Sequence, residues 1–391
     1  MMHIPKDWEL VPLGKLGRYI NGMAFKPSDW EKTGLPIIRI QNLTNPNAPF
    51  NYYSKPVKER YYVRNGDLLI SWSATLGAYL WDRGDAILNQ HIFRVEVNEE
   101  RVDKKFLMYA VKQALDQLQK RTHGATMRHV TKRDFESFEV PVPRSLAEQR
   151  RIVARIEALL GEVRAARALH EEIVRDTGRL MDAVLAEVFP QPDQPLPSGW
   201  RLKRVKDISR KPQYGYTKSA SKIPIGPKFL RITDIQNGKV DWDTVPYCEC
   251  DPSCLKKYQL HSGDIVFARS GATTGKTYLV KNPPEAVFAS YLIRLRIIKA
   301  LPGFVWWFFQ SPYYWRQIVP RGGALPNVNA KTLQEILIPI HEDEDVQRNI
   351  IKRLESIRAE IDEMEKTQTE NSKLLDEMEQ AILAQAFRGE L

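Results

Sequence analysis

The sequence predicts an α+β protein in which one unit, a globular domain of mixed strands and helices followed by a long helix, occurs twice. Three observations predict this class. Short motifs repeat in the same order, the first part of each unit carries short β-branched and aromatic runs, and the last part carries a heptad-like apolar pattern. Two long helices with matching apolar seams favour an antiparallel coiled coil that separates two globular domains with pseudo-twofold internal symmetry.

The internal repeat is visible in the spacing of short motifs. Trp8 returns as Trp200, 192 residues later, and Gly66-Asp67 returns as Gly263-Asp264, 197 residues later. Two further pairs lie 198 residues apart, Gln149-Arg150 with Gln347-Arg348 and Phe189 with Phe387. Because the order is preserved and the offset changes only where loops would differ in length, the chain is interpreted as a tandem duplication.

The secondary structure expected within each unit sets the domain boundaries. Strands are expected at Asp67–Trp72 and Asp264–Ala268, helices at Lys104–Gln119 and Val305–Gln310, and long helices at Leu146–Val188 and Asp345–Ala386. The predicted order is domain 1 over 1–144, helix 1 over 145–189, a proline-rich linker over 190–197, domain 2 over 198–342 and helix 2 over 343–391.

Both long helices carry seam positions at alternating steps of four and three. The predicted seams are Ile152, Ile156, Leu159, Val163, Ala166, His170, Ile173, Thr177, Leu180 and Val184 in the first helix, and Ile350, Leu354, Ile357, Ile361, Met364, Gln368, Asn371, Leu375, Met378 and Ile382 in the second. Polar residues near the middle of a seam are expected to fix its register. A role for His170 as a metal ligand or proton switch is the alternative.

Charge and cysteine content narrow the function classes. The 391 residues carry a formal net charge of +10, which favours a polyanionic partner such as nucleic acid over a merely soluble basic protein. The three cysteines cannot form a disulfide framework, so buried or exposed thiols in a reducing, cytoplasmic compartment are expected. The spacing of Cys248, Cys250 and Cys254 with His261 leaves a structural zinc site as an alternative, although it lacks the paired Cys-x₂-Cys of strong sites.

Two segments resemble catalytic motifs without meeting their requirements. Gly271–Thr277 has three residues instead of four between its glycines and precedes an apparent strand, whereas a phosphate-binding loop opens into a helix. Asn282-Pro283-Pro284-Glu285 lacks the aromatic residue that stacks on a flipped base in amino-methyltransferases. Nucleotide binding and methyl transfer by this chain are therefore not expected, and neither catalytic nor metal-binding residues are predicted.

At these motifs the chain resembles the specificity subunits of type I restriction–modification systems, which defend against foreign DNA. The resemblance spans essentially the whole chain. It lies in the Pro-x-x-Trp start of each unit, the Gly-Asp strand, the helix start Glu148-Gln149-Arg150-Arg151-Ile152 and the segment from Ile382 to Leu391. Val346 stands in the second copy where the first has Glu148, which puts strict symmetry of partner contacts in doubt.

The resemblance implies a function and a set of partners. Each globular domain would be a target recognition domain that reads one half of a bipartite site in double-stranded DNA, while the helices set the spacer. The helices would also dock two modification subunits that bind S-adenosylmethionine, and restriction motor subunits using ATP would join them. The chain itself would hold no cofactor and no active site.

Residues of the types that contact phosphates and base edges are candidates for DNA binding. In domain 1 they are Lys26, Arg39, Gln41, Asn42, Trp72, Ser73, Thr75, Asn89, Gln90, His91, Arg121, Arg128 and Lys132. In domain 2 they are Tyr214, Tyr216, Lys218, Arg231, Gln236, Arg269, Ser270, Thr273, Thr274, Lys276, Arg321, Asn327, Asn329 and Lys331. An ordinary solvated polar loop is the alternative at each position. For the whole chain, the alternatives are a standalone duplicated DNA-binding regulator and a DNA enzyme.

Overall fold

The computed structural model describes residues 5–73, 75–122, 132–236, 238–271, 273–318 and 328–391, with the side chains of 116–122 left aside. The chain divides into two compact units, and each long helix contributes to both of them. Unit 1 comprises Met1–His170 with Glu370–Leu391, and unit 2 comprises Glu171–Thr369. Within the described ranges, no helix combines the length and the apolar character needed to cross a membrane.

The first half of the chain forms a globular domain of short strands and helices, followed by a 43-residue helix. Its strands are β1 (Trp8–Pro12), β2 (Gly17–Asn21), β3 (Leu35–Ile38), β4 (Asn51–Tyr53), β5 (Tyr62–Val63), β6 (Leu68–Ser71), β7 (Gly77–Leu80), β8 (Ala86–Leu88), β9 (Ile92–Val97) and β10 (Glu139–Pro143). Its helices are α1 (Ile40–Thr44), α2 (Lys104–Thr122), α3 (Lys132–Ser137) and the long α4 (Leu146–Val188).

The second half has the same plan. Its strands are β11 (Trp200–Arg204), β12 (Gln213–Tyr214), β13 (Lys228–Leu230), β14 (Ile235–Gln236), β15 (Lys239–Val240), β16 (Asp264–Ala268), β17 (Thr277–Leu279), β18 (Ala286–Phe288), β19 (Leu292–Arg296) and β20 (Leu337–His341). Its helices are α5 (Val205–Ile208), α6 (Pro252–Tyr258), α7 (Pro302–Phe308), α8 (Pro312–Ile318), α9 (Ala330–Glu335) and the long α10 (Glu344–Ala386).

Three strand arrangements recur in both domains, which confirms the predicted duplication. Domain 1 contains an antiparallel sheet in the order β2-β9-β6-β7, and domain 2 contains β12-β19-β16-β17 in the same relation. A parallel pair, β3–β8 or β13–β18, follows in each domain. An antiparallel ribbon, β1–β10 or β11–β20, joins the start of each domain to the strand before its long helix.

The predicted mixed helix–strand class with two long helices is confirmed, and the helix ends pack into the globular cores. In unit 1, Phe387 is 4% exposed, and its ring lies 5.2 Å from that of Phe106. In unit 2, Phe189 is 1% exposed, with its ring 5.2 Å from that of Phe304 and 5.5 Å from that of Phe308. Both phenylalanines end a long helix, so the repeated motif serves to anchor that end.

Within each unit the segments of α4 and α10 run antiparallel. In unit 1, Arg151 donates to the carbonyl oxygen of Leu391 at 2.9 Å, and Arg167 lies 2.9 Å from Asp376. In unit 2, the amide of Gln368 donates to the hydroxyl of Thr177 at 2.7 Å, and Arg353 lies 3.3 Å from Glu187. The polar seam residues Thr177 and Gln368 therefore pair as register-fixing residues would.

The predicted seam is only partly buried. Ile152, Ile156, Val163, Leu354 and Ile361 are buried as expected. Other predicted seam residues face solvent, namely Ala166, Ile173, Leu180, Met364, Asn371 and Met378. The prediction of a continuous buried seam over the full length of both helices was therefore wrong. The physical reason is that Ile152, Ile156, Val163 and Leu354 pack into the hydrophobic cores of the globular domains, whereas the six exposed residues do not.

The cysteines also differ from expectation. Cys250, two residues before α6, and Cys254, within α6, form a disulfide with Cα atoms 5.5 Å apart, so only Cys248 remains a free thiol. This separation lies in the range that disulfides require. Two of the four ligands proposed for the alternative zinc site are thus joined to each other. In the described part of the chain, no group of three or more His, Cys, Asp or Glu side chains is placed to hold a metal ion.

Cys248 should react slowly with thiol reagents. Burial raises the pKa of its thiol to about 11. Because the thiolate is the nucleophile, alkylation of the native chain in non-reducing buffer at pH 8 should be at least tenfold slower than after denaturation, and should accelerate as the pH rises towards 11. Stopped-flow alkylation with mass-spectrometric identification of the labelled cysteine measures this rate. Equal native and denatured rates would contradict the prediction.

Candidate nucleic-acid interface

In domain 2, the end of strand β16 presents an arginine held against an aromatic ring. Arg269 is half-buried, and its guanidinium carbon lies 5.0 Å from the centre of the Tyr214 ring. The Arg269 Nε is buried and has no hydrogen-bond partner within the described ranges. The hydroxyl of Tyr214 in turn accepts from the backbone N–H of Ala330, next to Asn329. The stacking on Tyr214, whose hydroxyl is itself held by Ala330, therefore orients the guanidinium.

The loop between β18 and β19 lies beside this arginine. The Arg269 N–H donates to the carbonyl of Tyr291 at 3.1 Å, and the Tyr291 side chain is 65% exposed. Gly215 completes the close packing, because a Cβ there would lie 2.2 Å from the carbonyl oxygen of Ala289. An exposed aromatic ring next to a guanidinium can stack on a base or sugar.

Domain 1 has the same backbone arrangement with different side chains. Trp72 stacks on Phe93 with ring centres 5.6 Å apart, and its ring lies 5.9 Å from that of His91. The Trp72 backbone N–H donates to the carbonyl of His91, as Arg269 does to Tyr291. Among the described residues, the indole Nε1 of Trp72, like the Nε of Arg269, is buried without a hydrogen-bond partner. Gly22 makes the same 2.2 Å approach, here to the carbonyl of Asn89.

Trp72 and Arg269 thus occupy one position of the repeat, with His91 and Tyr291 as their neighbours. Sequence reasoning identified three of these four residues and missed Tyr291. The signal that could have found it is its alignment with His91, 200 residues earlier, in the loop that follows β8 or β18. A shared backbone frame with unlike side chains is suited to reading two different base sequences.

A second pair of equivalent arginines differs in its partners. The Arg39 guanidinium lies 5.1 Å from the ring centre of Trp30 and donates to the Asn51 side chain at 3.2 Å. Arg231 donates instead to both carboxylate oxygens of Asp234 at 3.1 and 2.7 Å. Asp234 holds the Arg231 charge locally and raises its pKa. Arg39 is therefore the freer of the two cations.

Two predicted contact residues have side chains that are buried and hydrogen-bonded within the protein. Asn42 is fully buried and donates to the carbonyls of Ala48 and Pro49, while its oxygen accepts from the Arg39 N–H. Thr274 is 3% exposed and donates to the carbonyl of Gly271. Both side chains are engaged within the protein, so nothing in the structure supports a DNA contact by Asn42 or Thr274.

The remaining candidates fall into three groups. Several are exposed or half-buried and have no described side-chain contact with the cluster around Trp72 or the cluster around Arg269. They are Lys26, Gln41, Ser73, Thr75, Gln236, Ser270, Thr273, Lys276 and Lys331. Others are engaged locally, namely Asn89 with the His91 N–H, Gln90 with His91, Lys132 with Glu136 and the Tyr19 carbonyl, Tyr216 with the Tyr258 ring, Lys218 with Glu249, and Asn329 with the Thr332 N–H. Arg128, Arg321, Asn327 and the side chain of Arg121 lie outside what the structure describes.

The segment that resembles a phosphate-binding loop lies in a β-hairpin. Gly271–Thr277 connects β16 to β17, and these strands pair antiparallel from Phe267 with Thr277 to Ile265 with Leu279. The expectation that a strand follows this segment is confirmed. Since a phosphate-binding loop must precede a helix whose N-terminus faces the phosphates, the connection has the wrong geometry for that role.

Comparison with known proteins agrees with the repeated architecture. The family model described as the type I restriction modification DNA specificity domain matches twice, at residues 5–174 and 197–372. The chain is 27% identical to the type I restriction enzyme EcoBI specificity subunit of Escherichia coli, covering 100% of this chain and 88% of that protein. It is 24% identical to the EcoKI specificity subunit of Escherichia coli strain K12, covering 99% and 90% of the two chains.

Solved structures share the fold. One chain, from a study of complex assembly and conformational transition of the type I R-M system, superposes with a TM-score of 0.80 at 23% identity, with 99% of both chains covered. The HsdS subunit from Thermoanaerobacter tengcongensis gives a TM-score of 0.63 at 24% identity, with 99% of this chain and 98% of that chain covered. With two matches that together span most of its length, the chain belongs to the family of type I restriction–modification DNA specificity subunits.

Proposed function

We propose that this chain is the DNA sequence-specificity subunit of a type I restriction–modification system and that each globular domain reads one half of a bipartite site. The observation that carries this proposal is the pair of equivalent clusters around Trp72 and Arg269, which share a backbone frame but differ in side chains. A duplicated scaffold with unlike reading positions suits an asymmetric two-part sequence. The net charge of +10 favours the phosphate backbone as a partner.

The long helices are proposed to set the spacer and to dock the modification subunits. Support comes from large apolar side chains that remain exposed on these helices. They are Leu169, Leu374 and Met378 in unit 1, with exposures of 62, 54 and 51%, and Ile173, Val174, Leu180 and Met364 in unit 2, with exposures of 53, 42, 40 and 45%. Exposed apolar patches of this kind are typical of protein interfaces.

Catalysis is proposed to belong to the partners. This chain would recognise the DNA sequence and hold the complex together. The modification subunits would bind S-adenosylmethionine and methylate adenine, and motor subunits using ATP would join for cleavage. The hairpin geometry of Gly271–Thr277 supports a non-catalytic role, because it offers no helix N-terminus for a phosphate. The competing possibility of a standalone regulator has no observation that favours it here.

Co-expression with the cognate modification subunit, followed by mapping of methylated adenines, tests the proposal. One bipartite motif with a fixed spacer is expected, and methylation should disappear when this chain is omitted. Methylation that persists at the same sites without this chain would refute the proposed function. Equilibrium binding of S-adenosylmethionine and ATP to the purified chain should show no saturable binding.

The exposed apolar residues of α10 should be needed for docking. Leu374 and Met378 lie one helical turn apart and so share a face. Replacing Leu374 by aspartate should lower the affinity for the modification subunit at least tenfold, since it removes apolar contact and buries an unpaired charge on assembly. Titration by isothermal calorimetry measures this affinity.

The matched control for docking is Lys373→Asp, which places the same carboxylate one position earlier on an exposed residue. The two variants should unfold at similar temperatures, because neither position is buried. Equal affinity of Leu374→Asp and the unaltered chain would show that this part of α10 does not contact the modification subunit.

A further inference from the structure

Helix α4 begins with a buried glutamine that is hydrogen-bonded to the backbone of domain 1. Gln149 is 0% exposed, and its Oε1 accepts from the Asp103 N–H at 2.7 Å. Its Nε2 donates to the carbonyls of Pro143 at 2.8 Å and Arg101 at 3.1 Å. One amide thereby joins the first turn of α4 to the start of α2 and the end of β10.

The same joint occurs at the start of α10. Gln347 is 2% exposed, its Oε1 accepts from the Leu301 N–H at 3.0 Å, and its Nε2 donates to the His341 carbonyl at 2.7 Å. Leu301 and His341 lie 198 residues after Asp103 and Pro143, the offset that also separates the two glutamines. This joint, the set of hydrogen bonds between the glutamine side chain and the domain backbone, is therefore present in both copies of the repeat.

Small changes of angle at this joint matter because the helix is long. The 43 residues of α4 span about 65 Å at a rise of about 1.5 Å per residue. A tilt of about 5° at one end of such a rod moves its other end by about 6 Å, more than the roughly 3.4 Å between successive base pairs. Control of the spacer therefore requires a joint with little angular freedom.

We propose that Gln149 and Gln347 are positioning residues. Each fixes the direction in which a long helix extends from its globular domain, and together they thereby fix the number of base pairs between the two half-sites. This inference rests on the proposed function. Hydrogen bonds are directional, with donor angles that prefer a narrow range, whereas the apolar contacts nearby, such as those of Ile152 and Phe387, are not. Two or three hydrogen bonds from one amide can therefore fix the angle between the helix and its domain, which apolar contacts restrict less.

The test uses the complete chain co-expressed with its modification subunit. Gln149→Leu and Gln347→Leu each remove the amide at similar volume, and methylated adenines are mapped at sites whose spacer is one base pair longer or shorter than normal. The ratio of methylation at altered spacers to methylation at the normal spacer should rise about tenfold, equivalent to about 1.4 kcal/mol of lost discrimination. The bases recognised in each half-site should not change.

Gln385→Leu is the matched control, since Gln385 is exposed on α10, and it should keep the single spacer. If a leucine variant fails to assemble, Gln149→Met or Gln347→Met replaces it, because methionine has similar length and adapts to its surroundings. Folded variants that methylate less but keep one spacer would overturn the inference and leave the glutamines with a purely structural role. An unaltered chain that directs no bipartite motif would instead refute the proposed function.

Discussion

Replacing Arg269 by alanine is expected to abolish discrimination at one position of the half-site read by domain 2, while the half-site read by domain 1 stays unchanged. The Arg269 guanidinium is stacked on Tyr214, and its buried Nε has no protein partner in the described ranges. An arginine held in this way is suited to a bidentate contact with the O6 and N7 atoms of guanine, which contributes about 1–3 kcal/mol of discrimination. The preference for guanine at that position should fall by about 5- to 150-fold.

Competition binding with duplexes that vary one base at a time measures this loss. Arg204→Ala is the matched control, because Arg204 lies on β11 in the same domain, where it is paired with Glu335. Arg204→Ala should lower affinity slightly and equally for all sequences, since it changes only the overall charge. A uniform loss of affinity in Arg269→Ala, with every base preference retained, would mean that Arg269 contacts phosphate.

The long helices could be predicted closely because their signal is periodic and local. The expected bounds Leu146–Val188 match α4, and the expected Asp345–Ala386 differs from α10 by one residue at its start. The parallel pairing of β3 with β8, and of β13 with β18, could not be predicted. Strands of three or four residues carry no signal for a partner 50 or 58 residues away, since that register depends on tertiary packing.

For the candidate interface, the sequence indicated the loops but not the surroundings of each side chain. The loops after β6 and β16 were recognised from polar composition, and the structure joins them to His91 and Tyr291. Composition could not show that the Asn42 and Thr274 side chains form hydrogen bonds within the protein. A polar side chain that bonds to the backbone and one that faces solvent have the same sequence signal. Tyr291 was missed because a single exposed tyrosine beside a strand has no local signature.

Replacing Phe387 by alanine is expected to destabilise unit 1 by about 3–5 kcal/mol, the usual cost of removing a large buried aromatic side chain. Phe387 lies at the end of α10 and packs against Phe106 in the core of unit 1, although α10 begins in unit 2. The matching change, Phe189→Ala, should destabilise unit 2 by a similar amount, because Phe189 packs against Phe304 and Phe308 there.

Native-state hydrogen exchange resolves the two effects, since it reports the opening free energy of each region separately and needs no two-state assumption. Amides of β6 and β9 should lose protection in Phe387→Ala, and amides of β16 and β19 should lose it in Phe189→Ala. Leu374→Ala is the control, because Leu374 is 54% exposed and its truncation should cost little. If both phenylalanine variants lost protection equally in both units, each helix end would stabilise the whole chain and the two units would open together. A loss of protection confined to one unit in each variant would instead show that each domain depends on the helix that ends in it. That dependence explains why the phenylalanine recurs 198 residues apart in both copies of the repeat.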